Sequence, residues 1–484
     1  MNIKQIATLL TAVILGFTGS AAVSQELLMI EGAEVSDVID LFGPGTMPEG
    51  WEDAEAADPN GRPLIDDSLQ RFVTLNTNFI ETYLNPDHKT PFRINLQILE
   101  DLTITMVIDD IQMVDETRYV SGRVESDDLS RLSLAITKNN VRGTLHFQSR
   151  VIEFRIADGS TTAIQWLNPK RFPKERGPLP AHRQPGFDAS DPQPFGNVLV
   201  MAGGDGIVEP FDGEAYAMTG FEPPEFTVLG VFSRDDFPDK CDADSLDLES
   251  AAYTKNLTDI YGDYAIGTVT FECVDPPDTE VWTTLEEVRQ YLMVDPVKAL
   301  RIAEEADLVV MIVKDGLGYC GYAMHPDYPK YPIELYGDQY KSNAAFAVVD
   351  ESCALPQSSF AHEIGHLLGM KHERFNQLGG VDNFCGYGYP VMRMRRPIAQ
   401  TVMAYDDYCD YRGVSCSRVP YFSIPRKQAT GAFSWFQNAW NGFFGRTKGQ
   451  SCESTKSGHL RRPANNTSQL INSAKLVAQY SDPP

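Results

Sequence analysis

The stretch FAHEIGHLLGMKHERF, residues 360–375, holds three of the chain's eight histidines, His362, His366 and His372. On an α-helix, positions i and i+4 share a face, so His362 and His366 can point at one ion. Glu363 is rotated about 100° around the helix axis, close to that ion without having to ligate it. Gly369 can adopt a positive φ and end the helix, which lets His372 approach from another direction. Three neutral imidazoles suit Zn²⁺, and three protein ligands leave a position for water, the mark of a catalytic site; a structural zinc takes four protein ligands. A nearby carboxylate can take a proton from that water and return it to a leaving amine, so Glu363 is the candidate general base. A chance match to H-E-x-x-H in a chain of this length has a probability of order 1%, and requiring Gly369 and His372 lowers it roughly a thousandfold.

Working outward, Lys4 precedes an apolar run from Ile6 to Phe17 and small residues ending at Ala22-Val23-Ser24. Residues 1–24 therefore read as a secretory signal peptide, since a membrane span needs about 20 apolar residues. The expected product is exported, secreted or periplasmic, without a membrane span in the mature chain. A formal charge of −26 argues against nucleic acid as a partner. All eight cysteines lie at or beyond position 241, and an even count in an exported protein favours disulfides.

Residues 25–167 read as a β-rich domain. Alternating runs such as RINLQILEDLTITMVI (93–108) and RLSLAITKNNVRGTLHF (131–147) are strand-like, with Asn139-Asn140 marking a hairpin. Residues 168–224 are proline-rich, with a basic cluster, and read as a linker and processing region. From 225 to 484 strand-like and helix-like segments alternate: FTVLGVF (226–232), a helix over DSLDLESAAYTKNLTDIY, IGTVTFEC (266–273), two short helices, DLVVMIV (307–313) and AAFAVVD (344–350). The histidine helix follows, beginning at Ser358 or Ser359, either of which can cap it. This is an α/β pattern in which a sheet feeds an active-site helix.

The motif resembles that of the metzincin zinc endopeptidases, H-E-x-x-H-x-x-G-x-x-H, matched by His362, Glu363, His366, Gly369 and His372. The resemblance implies a metzincin-like α/β (α+β) catalytic domain with a mixed twisted sheet. It also implies a methionine turn beneath the metal, for which TVMAY (401–405) supplies Met403, and an oxyanion-stabilising tyrosine, for which it supplies Tyr405. More narrowly, the segments around 307–325, 345–366 and 401–425 resemble bacterial reprolysin-like enzymes of the peptidyl-Asp metallopeptidase type. YVSGRVESDDLSRLSLAITKNNVRGTLHF resembles their propeptide, and NNTSQLINSAKLVAQYS (465–481) their C-terminal helix, with an aromatic-rich insertion at about 427–463 between. Glu373 stands where that pattern usually has Asp and is more like the astacins.

The resemblance implies a monomeric zymogen acting on proteins or peptides, with its own propeptide as partner before maturation. It implies disulfides Cys320–Cys353 and Cys409–Cys416. No cysteine precedes 241, so latency cannot use a propeptide thiol; Asp205 in GGDGI (203–207) is a candidate blocking ligand. A structural Ca²⁺ is not demonstrable from sequence. Arg393, Arg395 and Arg396 lie where metzincins wall the pocket after the scissile bond, and arginine there can pair bidentately with Asp, less readily with Glu. The competing function is a secreted binding or adhesion module that keeps zinc for structure without hydrolysis; Glu363 discriminates, since a non-catalytic scaffold has no need of that carboxylate.

Overall fold

A computed structural model describes residues 41–47, 65–180 (except 100, 101, 128, 148, 149 and 175–178), 223–325 (except 263, 264, 276–283, 294 and 295), 345–372, and 388–423 (except 394, 395, 406 and 415). The signal segment, most of the linker with Asp205, Glu373, Cys385, Cys452, the 427–463 insertion and the 465–481 helix lie outside the described residues.

The period-2 runs of the first part build an antiparallel nine-stranded sheet. Its strands are β1 (Phe42–Pro44), β2 (Ile65–Leu75), β3 (Phe92–Leu99), β4 (Leu102–Val114), β5 (Thr117–Val124), β6 (Arg131–Ile136), β7 (Val141–Phe147), β8 (Arg150–Asp158) and β9 (Thr161–Leu167). They are ordered β1-β2-β9-β8-β7-β6-β5-β4-β3, so β3 to β9 form a continuous meander. The hairpin around Asn139-Asn140 pairs Ile136 with Val141. One face buries Leu96, Met106, Leu134, Leu145, Phe154 and Ile164, with Phe79 and Ile80 of α1 (Thr77–Tyr83) packed on it. Along β7, however, six consecutive residues are buried. A strand with one solvated face would alternate, so the other face of this sheet must also be covered.

The covering element is α2 (Ala243–Tyr261), which packs on β5, β6 and β7. Asp242 caps it through the Ser245 N–H, and Gly262, at φ 59°, ends it. This helix is the crossover between β11 (Glu225–Ser233) and β12 (Ile266–Val274), which pair in parallel as a right-length βαβ unit requires. The second sheet is mixed and six-stranded, ordered β10-β14-β15-β13-β11-β12, with β10 Leu179–Pro180, β13 Leu308–Val313, β14 Gly321–His325 and β15 Phe346–Asp350. β13 and β15 are buried throughout, which is why they read as unbroken apolar runs. Two short helices, α3 (Leu285–Leu292, opened by a Thr284/Glu287 capping box) and α4 (Val297–Ala303), connect β12 to β13.

β14 is antiparallel to β15. β15 leads through α5 (Glu351–Ala354) into the histidine helix α6 (Ser359–Leu367). Ser358 holds the N-cap position with φ 54° and makes no side-chain capping bond, so the expected hydroxyl cap is absent there. A hairpin of β16 (Pro390–Arg393) and β17 (Arg396–Gln400) and the helix α7 (Asp407–Tyr411) follow. Disulfides join Cys241 to Cys273, Cys320 to Cys353 and Cys409 to Cys416.

Candidate metal centre

α6 is buried along its whole length. Aromatic residues of α2 stand behind it: Tyr253 meets Phe360 edge-on at 4.7 Å, and the Tyr261 hydroxyl donates to the Ala361 carbonyl at 3.3 Å. The helix ends in a Schellman arrangement, with Gly369 N–H on the His366 carbonyl and Met370 N–H on the Gly365 carbonyl, both 2.8 Å. Gly369 has φ 77°, the left-handed conformation a turn toward a third histidine needs.

That turn brings the three imidazoles together. Nε2 of His372 lies 3.1 Å from Nε2 of His362 and 2.8 Å from Nε2 of His366. The outer nitrogens face carbonyls: Nδ1 of His362 lies 2.7 Å from the Val402 oxygen, and Nδ1 of His366 lies 2.9 Å from the Met370 oxygen. A carbonyl only accepts, so each Nδ1 carries the hydrogen and each of these Nε2 atoms presents a lone pair inward. Protonation cannot satisfy such convergence, because burial, with the Arg418 charge beside it, lowers His366 to about 4 and His362 well below its ordinary value. Convergent neutral imidazole nitrogens are the donor set of a metal, and the carbonyl partners are the outer contacts that fix ligating rings. Among the described residues, His362, His366 and His372 are the one group whose ligand atoms cluster in this way.

Met403 lies in a tight turn closed by Ala404 N–H on the Thr401 carbonyl, 2.9 Å, and anchored by Val402 N–H on the Tyr421 carbonyl, 3.0 Å. The same turn supplies the Val402 oxygen that orients His362. Fully buried Met403 sits under the helix because Gly365 has no side chain: a Cβ there would fall 2.5 Å from the methionine sulfur. A Cβ on Gly388 would lie 2.4 Å from the Met403 backbone. The Tyr405 ring packs against the ring of His372, centroids 3.6 Å apart.

Glu363 is fully buried, and its carboxylate passes over β14 where Gly321 leaves room; a Cβ there would stand 2.6 Å from Oε1. These three glycines and the two carbonyls were not singled out from sequence. Gly365 lies inside the motif, but its reason is a contact 38 residues downstream, at Met403. Arg393 and Arg396 pair across the end of the β16–β17 hairpin, and Arg395 lies outside the described residues. Cys320–Cys353 ties the approach to β14 to α5, and Cys409–Cys416 closes a short loop just after the methionine turn.

Part of the chain is also similar in sequence to known proteins. Residues 268–373 match the reprolysin-like metallo-peptidase family M12B. Peptidyl-Asp metalloendopeptidases of Stenotrophomonas maltophilia strains R551-3 and K279a are each 30% identical over 131 residues, 27% of this chain and 27% of those proteins. The chain thus spans about a quarter of the length of these curated relatives. Among solved structures, metalloproteinase-II from Bacteroides fragilis aligns with 61% of this chain and 84% of its own at 14% identity and a TM-score of 0.33. From β12 to just past the third histidine, the chain is thus similar to the reprolysin-like metallo-peptidases of family M12B.

Proposed function

We propose that the protein is an exported zinc endopeptidase of metzincin type, made as a zymogen with residues 25–167 as propeptide and 168–224 as the processing region. The observation that carries this reading is the inward convergence of three buried imidazoles, two of them on the helix that also bears the buried Glu363 carboxylate. His362, His366 and His372 would hold one Zn²⁺, which when bound polarises a peptide carbonyl and brings the pKa of its water to roughly 7.

The chain's own groups then divide the work. Glu363, set one residue past His362 and walled by Gly321, takes the proton of the attacking water and delivers it to the leaving amine. Burial of the carboxylate strengthens that exchange, because little water competes for it. Tyr405, held against His372, is the donor for the oxyanion. The Val402 carbonyl, in the turn that carries Met403, keeps the first histidine oriented. The likeness to the peptidyl-Asp metalloendopeptidases of S. maltophilia and the arginines at the β16–β17 hairpin support a preference for Asp, and less for Glu, after the scissile bond.

The test is casein hydrolysis by the purified protein with and without a chelator, alongside Glu363→Gln. The reading expects chelator-sensitive cleavage, and a variant that keeps its metal but loses at least about 100-fold in turnover. Cleavage unaffected by chelation, or a fully active Glu363→Gln, would remove it.

A further inference from the structure

The nine-stranded sheet meets the rest of the protein through two buried clusters of charge, and each crosses the boundary between the sheets. In the first, Asp259 of α2 accepts from Ser121 Oγ of β5 (2.8 Å), Arg131 Nη2 of β6 (2.7 Å) and Lys255 Nζ of its own helix (2.7 Å), and from the Ser133 hydroxyl. In the second, Arg142 of β7, only 1% exposed, reaches Glu153 of β8 at 2.5 Å and Glu249 of α2 at 3.2 Å. Lys240 extends this cluster to Glu249 and Glu351, and Arg155 of β8 also reaches Glu351, at 3.3 Å. Glu351 opens α5, which leads into the histidine helix.

Apolar contacts surround the charges. Ala135, Tyr119 and Ile156 of the first sheet pack into the core of the second. Val151, Leu167 and Phe172 close over Cys320 and Cys353, and Leu129 packs on Val391, Ala399 and Val419 beside the methionine turn. The backbone joins as well: Cys320 N–H donates to the Lys174 carbonyl at 3.0 Å, and β10 adds in parallel to β14, Leu179 beside Met324.

We propose that this interface outlasts a cut in the chain: cleavage within 181–222 leaves residues up to 180 bound as a non-covalent subunit. The proposal rests on the zymogen reading only for the natural occurrence of the cut. The Arg142–Glu249 pair, buried on both sides, fixes one docking register, and parting the halves takes Arg142 from Glu249, Arg131 from Asp259 and Arg155 from Glu351, leaving each with fewer partners than it has now. Burial alone would raise the carboxyls of Glu249 and Asp259, but Arg142 and Lys240 around the one, and Lys255 and Arg131 around the other, hold both below the usual range. These two carboxylates therefore stay ionised at neutral pH. The retained fragment keeps β10 on the edge of β14, the strand against which Glu363 packs, so the cut by itself leaves that edge occupied.

The experiment places a site-specific protease sequence within 181–222 in a Glu363→Gln background, which removes self-digestion from the readout. After cutting, gel filtration and native mass spectrometry at neutral pH and about 0.1 M salt are expected to show one species holding both fragments. Arg142→Met combined with Asp259→Asn is expected to weaken the complex by roughly 100-fold or more, with Arg142→Lys intermediate; the uncut variants are first checked for native circular dichroism. Fragments of the unsubstituted protein eluting apart would overturn the proposal, as would charge variants, Arg142→Lys included, that bind as tightly as the parent. Elution is independent of peptidase activity, so failure of the enzyme reading appears in the casein assay instead.

Discussion

Replacing Gly365 by alanine reverses an ordinary expectation. On an unconstrained helix the change stabilises by about 1 kcal/mol, because alanine is the better helix former. Here the new Cβ would stand 2.5 Å from the Met403 sulfur and 3.3 Å from its methyl, with Phe422 at 3.5 Å behind. Met403 and Phe422 are both fully buried, so the methionine has little room to retreat. Overpacking of this kind costs about 1–3 kcal/mol, which cancels or exceeds the helical gain and leaves a net loss of up to ~2 kcal/mol. The displacement also reaches the metal, since the next residue back in that turn, Val402, orients His362 through its carbonyl at 2.7 Å. Loss of such an outer contact lowers metal affinity by about 10- to 100-fold. Zinc competition against a chromophoric chelator and thermal melts of the metal-free protein measure both effects, and adding Met403→Ala is expected to restore part of the stability. A Gly365→Ala protein that melts higher and binds zinc as tightly as the parent would refute the reasoning.

Gly321→Ala should displace Glu363 and lower kcat while leaving zinc content unchanged, read by steady-state kinetics beside elemental analysis. Replacing Cys409 and Cys416 by serine, which opens a loop of sequence separation 7, is expected to cost about 2–3 kcal/mol in a denaturant titration. His146, buried against Arg418, is lowered by that burial to about 4. A folded value below the unfolded one means that its contribution is intact above about pH 6.5 and is lost as pH falls toward 4. The loss is of order 3 kcal/mol and should be absent from His146→Gln when the two proteins' pH–stability curves are subtracted. For specificity, digestion of a peptide library should place Asp after the cut, and the profile should flatten when Arg393, Arg395 and Arg396 are replaced together.

Much of the second sheet was legible because its strands are buried on both faces and so appear as apolar runs: LVVMIV of β13 and FAVVD of β15 are examples. The metal centre was legible for a different reason, since two of its three ligands sit one helical turn apart and the third follows a glycine whose positive φ was anticipated. β14 was missed. It is five residues long and starts at a glycine, which pattern reading treats as a breaker rather than as room for Glu363. The partners of α2 were equally hidden: Glu249, Lys255 and Asp259 lie in a run whose spacing gives a helix and nothing more, yet they are buried against residues more than 100 positions away. The Cys241–Cys273 pair was one of many open to eight cysteines, and only the packing of α2 on β12 selects it.

The central claim is that three histidines converge on one zinc ion, and zinc K-edge X-ray absorption of the purified protein tests it most directly. The account predicts one zinc per chain with three imidazole nitrogens at about 2.0–2.1 Å and a remaining light-atom scatterer. That spectrum should lose its imidazole signature in His366→Ala. A protein without zinc, or a sulfur shell near about 2.3 Å, would contradict it.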